Sequence, residues 1–126
     1  DKQVVKTIFE SIGVAEFVAE GAIDAVTALS GSGPAYFFYF VECLVKAAVA
    51  EGLDEGLARR LATQTLFGAG ALLKTSGESP AELRAKVTSK GGTTEAAIRH
   101  FQENGLEALT RGAVHAAAAR SRELGG

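Results

Sequence analysis

The chain has 126 residues, 47 % of them hydrophobic, which is enough for one domain with a core of its own. A net charge of −2 gives no broad electrostatic pull toward nucleic acid or an anionic membrane surface. The single cysteine, Cys43, excludes an intramolecular disulfide and any cysteine-cluster metal site, which leaves the redox compartment open, with a cytoplasmic location a natural one.

The chain starts Asp1-Lys2-Gln3, with no basic-then-apolar targeting signal. Val4, Val5, Ile8, Phe9 and Ile12 share one helical face, which predicts a helix over about 2–12 stopped by Gly13. Val14 to Val18 alternates and predicts one short strand. A single strand needs a partner chain or a sheet from elsewhere. Residues up to about Glu20 therefore read as the tail of a preceding domain.

From Ala22 the pattern is helical almost to the end. Asp24 opens a short helix through Leu29, and Ser30-Gly31-Ser32-Gly33 is expected to break it. Pro34 suits the first position of a new helix, which runs to about Glu51. Tyr36 to Val41 is apolar on every side, which predicts burial on every side. A chain this short can hardly enclose such a helix, and a second subunit is the simplest cover. The uncharged run Ala25 to Val41 is rejected as a membrane span because the Ser30–Pro34 break interrupts it and Glu42 and Lys46 follow.

Gly52 ends that helix, and Asp54 caps the next, to about Lys74. Its Gly68-Ala69-Gly70-Ala71 would let another helix approach closely. Ser79-Pro80-Ala81-Glu82 predicts a capping box and a short helix through Val87. Then comes the break Val87-Thr88-Ser89-Lys90-Gly91-Gly92-Thr93-Thr94, and Thr93 and Thr94 open a helix to about Glu103. After Asn104-Gly105 a last helix runs from Leu106 to Leu124, its alanines from Ala113 to Ala119 suiting tight helix contact.

Most chemistry-bearing residues have a plain structural explanation. The G-x-G runs at Gly31 and Gly68 lack the third glycine and follow no strand of a βαβ unit, so both fail as dinucleotide fingerprints. His100 and His115 have no ligand at metal spacing, and no metal is expected. Cys43 reads as a small buried residue and Arg59-Arg60 as a solvated face. The glycine-threonine break has two readings. It is an ordinary helix cap, or it is an anion site in which free amides and the helix dipole meet a carboxylate or phosphate.

Thr27-Ala28-Leu29-Ser30-Gly31-Ser32-Gly33-Pro34-Ala35-Tyr36 resembles the segment that opens the C-terminal domain of the pyrroline-5-carboxylate reductase family. Gln64-Thr65 followed by Gly68-Ala69, and Val87-Thr88-Ser89-Lys90-Gly91-Gly92-Thr93-Thr94, are similar to later motifs of that family in the same order. The resemblance covers about Asp24 to Leu124. Residues 1–23 look like the last helix and strand of the N-terminal dinucleotide-binding domain, and 24–126 like the helical dimerisation and substrate-binding domain. Many members have proline where this chain has Lys90.

The resemblance implies reduction of 1-pyrroline-5-carboxylate to L-proline with NADPH or NADH, the last step of proline biosynthesis. It implies an N-terminal Rossmann domain for the cofactor, largely absent from these residues. It also implies an interleaved homodimer, in the family often assembled further into rings of dimers, with the oligomer size beyond the dimer left open. The expected fold is mainly α: a helical bundle interleaved with a second subunit, preceded by a short helix-strand remnant of the Rossmann domain. The expected substrate site is Ser89, Gly91, Gly92, Thr93 and Thr94, holding the substrate carboxylate at the helix start. Thr94 is the expected catalytic residue, relaying a proton to the ring nitrogen or aligning an iminium. Ser32, Gly33 and Pro34 are expected at the nicotinamide end. No nucleic acid and no membrane partner is expected, and the fragment alone would be inactive. Two alternatives remain: a helical dimerisation module without chemistry, or the helical domain of another NAD(P)-dependent oxidoreductase acting on a hydroxy acid, with Lys90 doing the proton work.

Overall fold

The computed structural model describes the backbone of residues 4–9 and 14–125, and side chains from residue 17 to 125. The protein is mainly helical. Strands β1 (Val4–Phe9) and β2 (Val14–Ala19) come first. The helices follow: α1 (Ile23–Val26), α2 (Gly33–Ala50), α3 (Glu55–Thr75), α4 (Pro80–Lys86), α5 (Thr93–Glu103) and α6 (Leu106–Gly125).

The N-terminal segment differs from the helix expected over 2–12. Val4–Phe9 is a strand, paired antiparallel with Val14–Ala19 in the register Val4↔Ala19 to Phe9↔Val14. Four of its six residues, Val4, Val5, Thr7 and Ile8, are β-branched, which favours the pleated conformation. The helical spacing of Val4, Val5, Ile8 and Phe9 was a weaker cue than this pairing. The strand expected at Val14 thus finds its partner within the chain. Gly13, expected as a helix stop, lies outside the described residues.

The break expected at Ser30–Gly33 is also different. The backbone stays helical but widens: α1 continues as a π-helical turn, Thr27–Gly31, and the Ser32 N–H donates to Thr27 O at 2.9 Å. In an α-helix that N–H would reach Ala28 O. The displaced carbonyl instead accepts from the Tyr36 hydroxyl at 2.6 Å, one turn into α2. Ser30 Oγ donates to Val26 O at 2.8 Å. The polar residues of this segment thus re-satisfy the backbone that the wider turn frees. As a result Glu20–Ala50 forms one 31-residue helical stretch, long and apolar enough by length and composition to cross a membrane.

Later helix ends follow their local signals. Asp54 caps α3, accepting from the Leu57 N–H at 3.1 Å. Ser79 and Glu82 form a reciprocal capping box at α4, with Pro80 at the first helical position. Gly105 turns the chain at φ +77° between α5 and α6.

The chain falls into two compact units: Asp1–Phe38 with Glu107–Gly126, and Tyr39–Leu106. In the first, the Ser121 hydroxyl donates to Asp24 Oδ1 at 2.7 Å, tying α6 to α1. In the second, the rings of Phe40 and Phe101 meet at 6.1 Å and 52°, setting α5 against α2. Neither unit holds much of a core. Among the described residues the buried ones are Ala28, Gly33 and Ala58. Phe37, Phe38 and Tyr39 are 57 %, 67 % and 68 % exposed. Cys43 is exposed as well, contrary to expectation, because nothing in this single chain covers that side of α2.

Candidate functional site

The glycine-threonine segment lies in the second unit, between α4 and α5. It leaves α4 along a fixed path. The Val87 and Thr88 N–H groups donate to Arg84 O and Ala85 O, both at 3.2 Å, and the Thr88 hydroxyl donates to Arg84 O at 2.6 Å. Ser89 to Gly92 then make a tight turn closed by Gly92 N–H to Ser89 O at 3.1 Å. Its third residue, Gly91, has φ +76°, as a type II turn requires. Lys90 takes the second position, where such a turn favours proline.

The two glycines serve different needs. Gly91 supplies the positive φ. Gly92 has φ −89°, open to any residue, but a Cβ there would lie 2.6 Å from Ser89 Oγ and 3.2 Å from Ser89 O. It is glycine because the turn folds onto it.

Gly92 is also the N-cap of α5, and no side chain caps that helix. The first intrahelical bond is Ala96 N–H to Gly92 O at 3.3 Å. Helix geometry leaves the Thr93 and Thr94 N–H groups without an intrahelical acceptor, at the positive end of the helix dipole. Among the described residues the Thr94 hydroxyl also has no hydrogen-bond partner. Thr94 is half-buried, while Thr93, Ser89 and Lys90 are exposed.

The Gly91 and Gly92 amides are not free in the same way. Gly92 N–H closes the turn, and Gly91 N–H donates to Glu95 Oε1 at 3.1 Å. The same oxygen accepts from Arg99 Nη2 at 3.2 Å. The open main-chain donors at this helix start are therefore the Thr93, Thr94 and Glu95 N–H groups. Glu95 was not among the expected site residues. The signal for it was present: a glutamate at the third helical position, the spacing that returns a carboxylate to the amides before the helix. Behind the turn, Arg84, Thr88, Glu95, Arg99 and Gln102 line an open groove of about 420 Å³.

Ser32, Gly33 and Pro34 lie in the first unit, where the π-helical turn meets α2. Ser32 N–H is spent on Thr27 O, Gly33 is buried, and Pro34 has no N–H.

Residues 20–124 match the family model described as pyrroline-5-carboxylate reductase dimerisation. The chain is 49 % identical over 118 residues to a pyrroline-5-carboxylate reductase of Pseudomonas aeruginosa, covering 93 % of this chain and 43 % of that protein. It is 46 % identical over 125 residues to pyrroline-5-carboxylate reductase 3 of Danio rerio, covering 99 % and 43 %. Among solved structures it is similar to the pyrroline carboxylate reductase of Plasmodium falciparum with NADP bound, at a TM-score of 0.82 and 33 % identity, covering 86 % of this chain and 44 % of that one. It is also similar to the Coxiella burnetii pyrroline-5-carboxylate reductase, at a TM-score of 0.82 and 42 % identity, covering 85 % and 40 %. The chain thus spans less than half the length of each of these relatives.

Proposed function

The chain belongs to the pyrroline-5-carboxylate reductase dimerisation family, and we propose on that premise that it forms the dimerising and substrate-holding half of an enzyme reducing 1-pyrroline-5-carboxylate to L-proline. The observation that carries the reading is the uncapped start of α5. Adjacent open amides and the unpaired Thr94 hydroxyl lie there, on a helix whose dipole favours an anion.

The Thr93 and Thr94 N–H groups hold the substrate carboxylate. Ser89, Gly91 and Gly92 shape the turn beneath it. The Thr94 hydroxyl faces the ring nitrogen. A threonine hydroxyl is a poor acid, so it either passes on a proton from water or aligns an already protonated iminium. Held at both ends, the ring can present one face of its C=N bond, and such orientation supplies a large part of a bimolecular rate.

NADPH or NADH, when bound, supplies the hydride. Ser32, Gly33 and Pro34 make a poor cradle for its phosphates, since the Ser32 N–H is spent on Thr27 O, Gly33 is buried and Pro34 has no N–H. They fit a wall beside the nicotinamide ring. The phosphates belong to a Rossmann domain of the kind absent from residues 24–126, with residues 1–23 as its tail.

A homodimer, and rings of dimers beyond it, complete the reading. Covering one phenylalanine is worth about 1.5–3 kcal/mol. The exposed Phe37, Phe38 and Tyr39, beside so few buried residues among those described, support reading α2 as an interface helix. A cytoplasmic location accords with the lone Cys43. The same exposed face favours a second reading for the chain taken alone, a dimerisation module without activity.

The test is Thr94→Ala in the full-length protein, assayed by imine-dependent NADPH oxidation. Turnover should fall by about 100-fold or more with the dimer mass unchanged. Wild-type turnover removes Thr94 from the proton step. A crystal soaked with L-proline should place the carboxylate on the Thr93 and Thr94 amides, and density elsewhere refutes the carboxylate site.

A further inference from the structure

We propose that Glu95 is a positioning residue for this site: its carboxylate pins the Lys90–Gly91 peptide and so fixes the turn that presents the Thr93 and Thr94 amides. The proposal rests on the site reading above. Lys90–Gly91 is the central peptide of the turn. Type I and type II turns of the same four residues differ mainly by a flip of that peptide. Glycine at the third position allows both forms. What selects one is an acceptor for the Gly91 N–H, and Glu95 Oε1 provides it at 3.1 Å.

A flipped peptide would aim the Lys90 carbonyl toward the first turn of α5, where its negative end opposes a bound anion. Glu95 forbids this twice, by accepting the N–H and by repelling the carbonyl. Its own charge would also oppose a substrate carboxylate. Arg99, one turn on, donates to the same Oε1 at 3.2 Å and offsets that charge. The two residues therefore act as a unit: Glu95 sets the peptide and Arg99 keeps the helix start attractive to anions. Glu95 is one-third exposed and Arg99 mostly exposed, so the pair adds little to stability and its effect is local.

The experiment compares Glu95→Ala and Glu95→Gln in the full-length enzyme. Glu95→Ala should raise the KM for the imine and the inhibition constant of L-proline together, by about tenfold, the worth of one charge-assisted hydrogen bond. The kcat and the KM for NADPH should stay within about twofold, a split that a general loss of structure would not produce. Glu95→Gln keeps an oxygen for the Gly91 N–H and should recover most of the loss. Wild-type KM in Glu95→Ala, or equal losses in the two variants, overturns the proposal. A second readout does not depend on activity: by NMR the Gly91 amide should exchange about tenfold more slowly in wild type than in Glu95→Ala. Equal exchange overturns the pinning even if the enzyme is active. If the wild type shows no imine-dependent NADPH oxidation, the activity reading fails, and the exchange comparison still decides the role of Glu95.

Discussion

Replacing Gly92 by alanine tests whether the turn is as tight as its geometry says. The backbone there, φ −89° and ψ −179°, suits alanine, so no conformational strain enters. The cost comes from contact alone. Ser89 Oγ must retreat by about 0.8 Å, the gap between 2.6 Å and an ordinary 3.4 Å contact. Rotation of one short side chain off its rotamer costs about 0.5–1.5 kcal/mol. Ser89 O is closer than it should be by only about 0.2 Å, but it is backbone and is held by the Gly92 N–H. The sum is a destabilisation of about 1–2 kcal/mol, in the lower part of the overpacking range. That corresponds to a Tm lower by roughly 4 °C per kcal/mol. The assay is thermal unfolding of the wild type, Gly92→Ala, Ser89→Ala and the double variant. With the hydroxyl gone the Gly92→Ala penalty should drop by at least half, leaving the carbonyl squeeze. An equal penalty in both backgrounds would show that the Ser89 hydroxyl is not what confines Gly92, and the account of the turn would be wrong.

Lys90→Pro should stabilise the protein by about 0.4–1 kcal/mol, because the second turn position is pre-set for proline; a lower Tm would mean Lys90 has a different φ. Phe38→Asp, at a residue 67 % exposed in the single chain, should convert the dimer to monomer or aggregate by light scattering, and an unchanged dimer mass would place the interface elsewhere. Glu82 is held below the ordinary glutamate value, first by the Ser79 backbone N–H and then by the Ser79 hydroxyl. Its contribution to stability is therefore present above the ordinary glutamate pKa and lost as pH falls through the lowered value. The Tm gap between wild type and Glu82→Gln should close in acid, and a gap that widens there would reverse the sign of the linkage.

Helix ends α3 to α6 were legible because each rests on neighbours in sequence: Asp54 on Leu57, Ser79 on Glu82, Gly105 between α5 and α6. The turn before α5 was legible as a turn, since paired glycines admit few other conformations. Which amides it leaves open was not, because that depends on where the Glu95 carboxylate settles. The N-terminal residues misled for a related reason. Val4, Val5, Ile8 and Phe9 fit a helical face and a strand alike, and only pairing with Val14–Ala19 chose the strand.

The turn at the glycine-threonine segment, the helical class and the family resemblance all follow from residues within a few positions of one another, where sterics and capping act directly. Three features follow only from atoms brought together in space. The π-helical turn Thr27–Gly31 keeps the backbone helical where a break was expected, with the Tyr36 hydroxyl satisfying Ala28 O. Ser121 meets Asp24 across 97 residues of chain. The apolar face of α2, including Cys43, stays open because one copy of the chain lacks the surface to cover it. Burial depends on what is packed against a residue, and no local pattern carries that information.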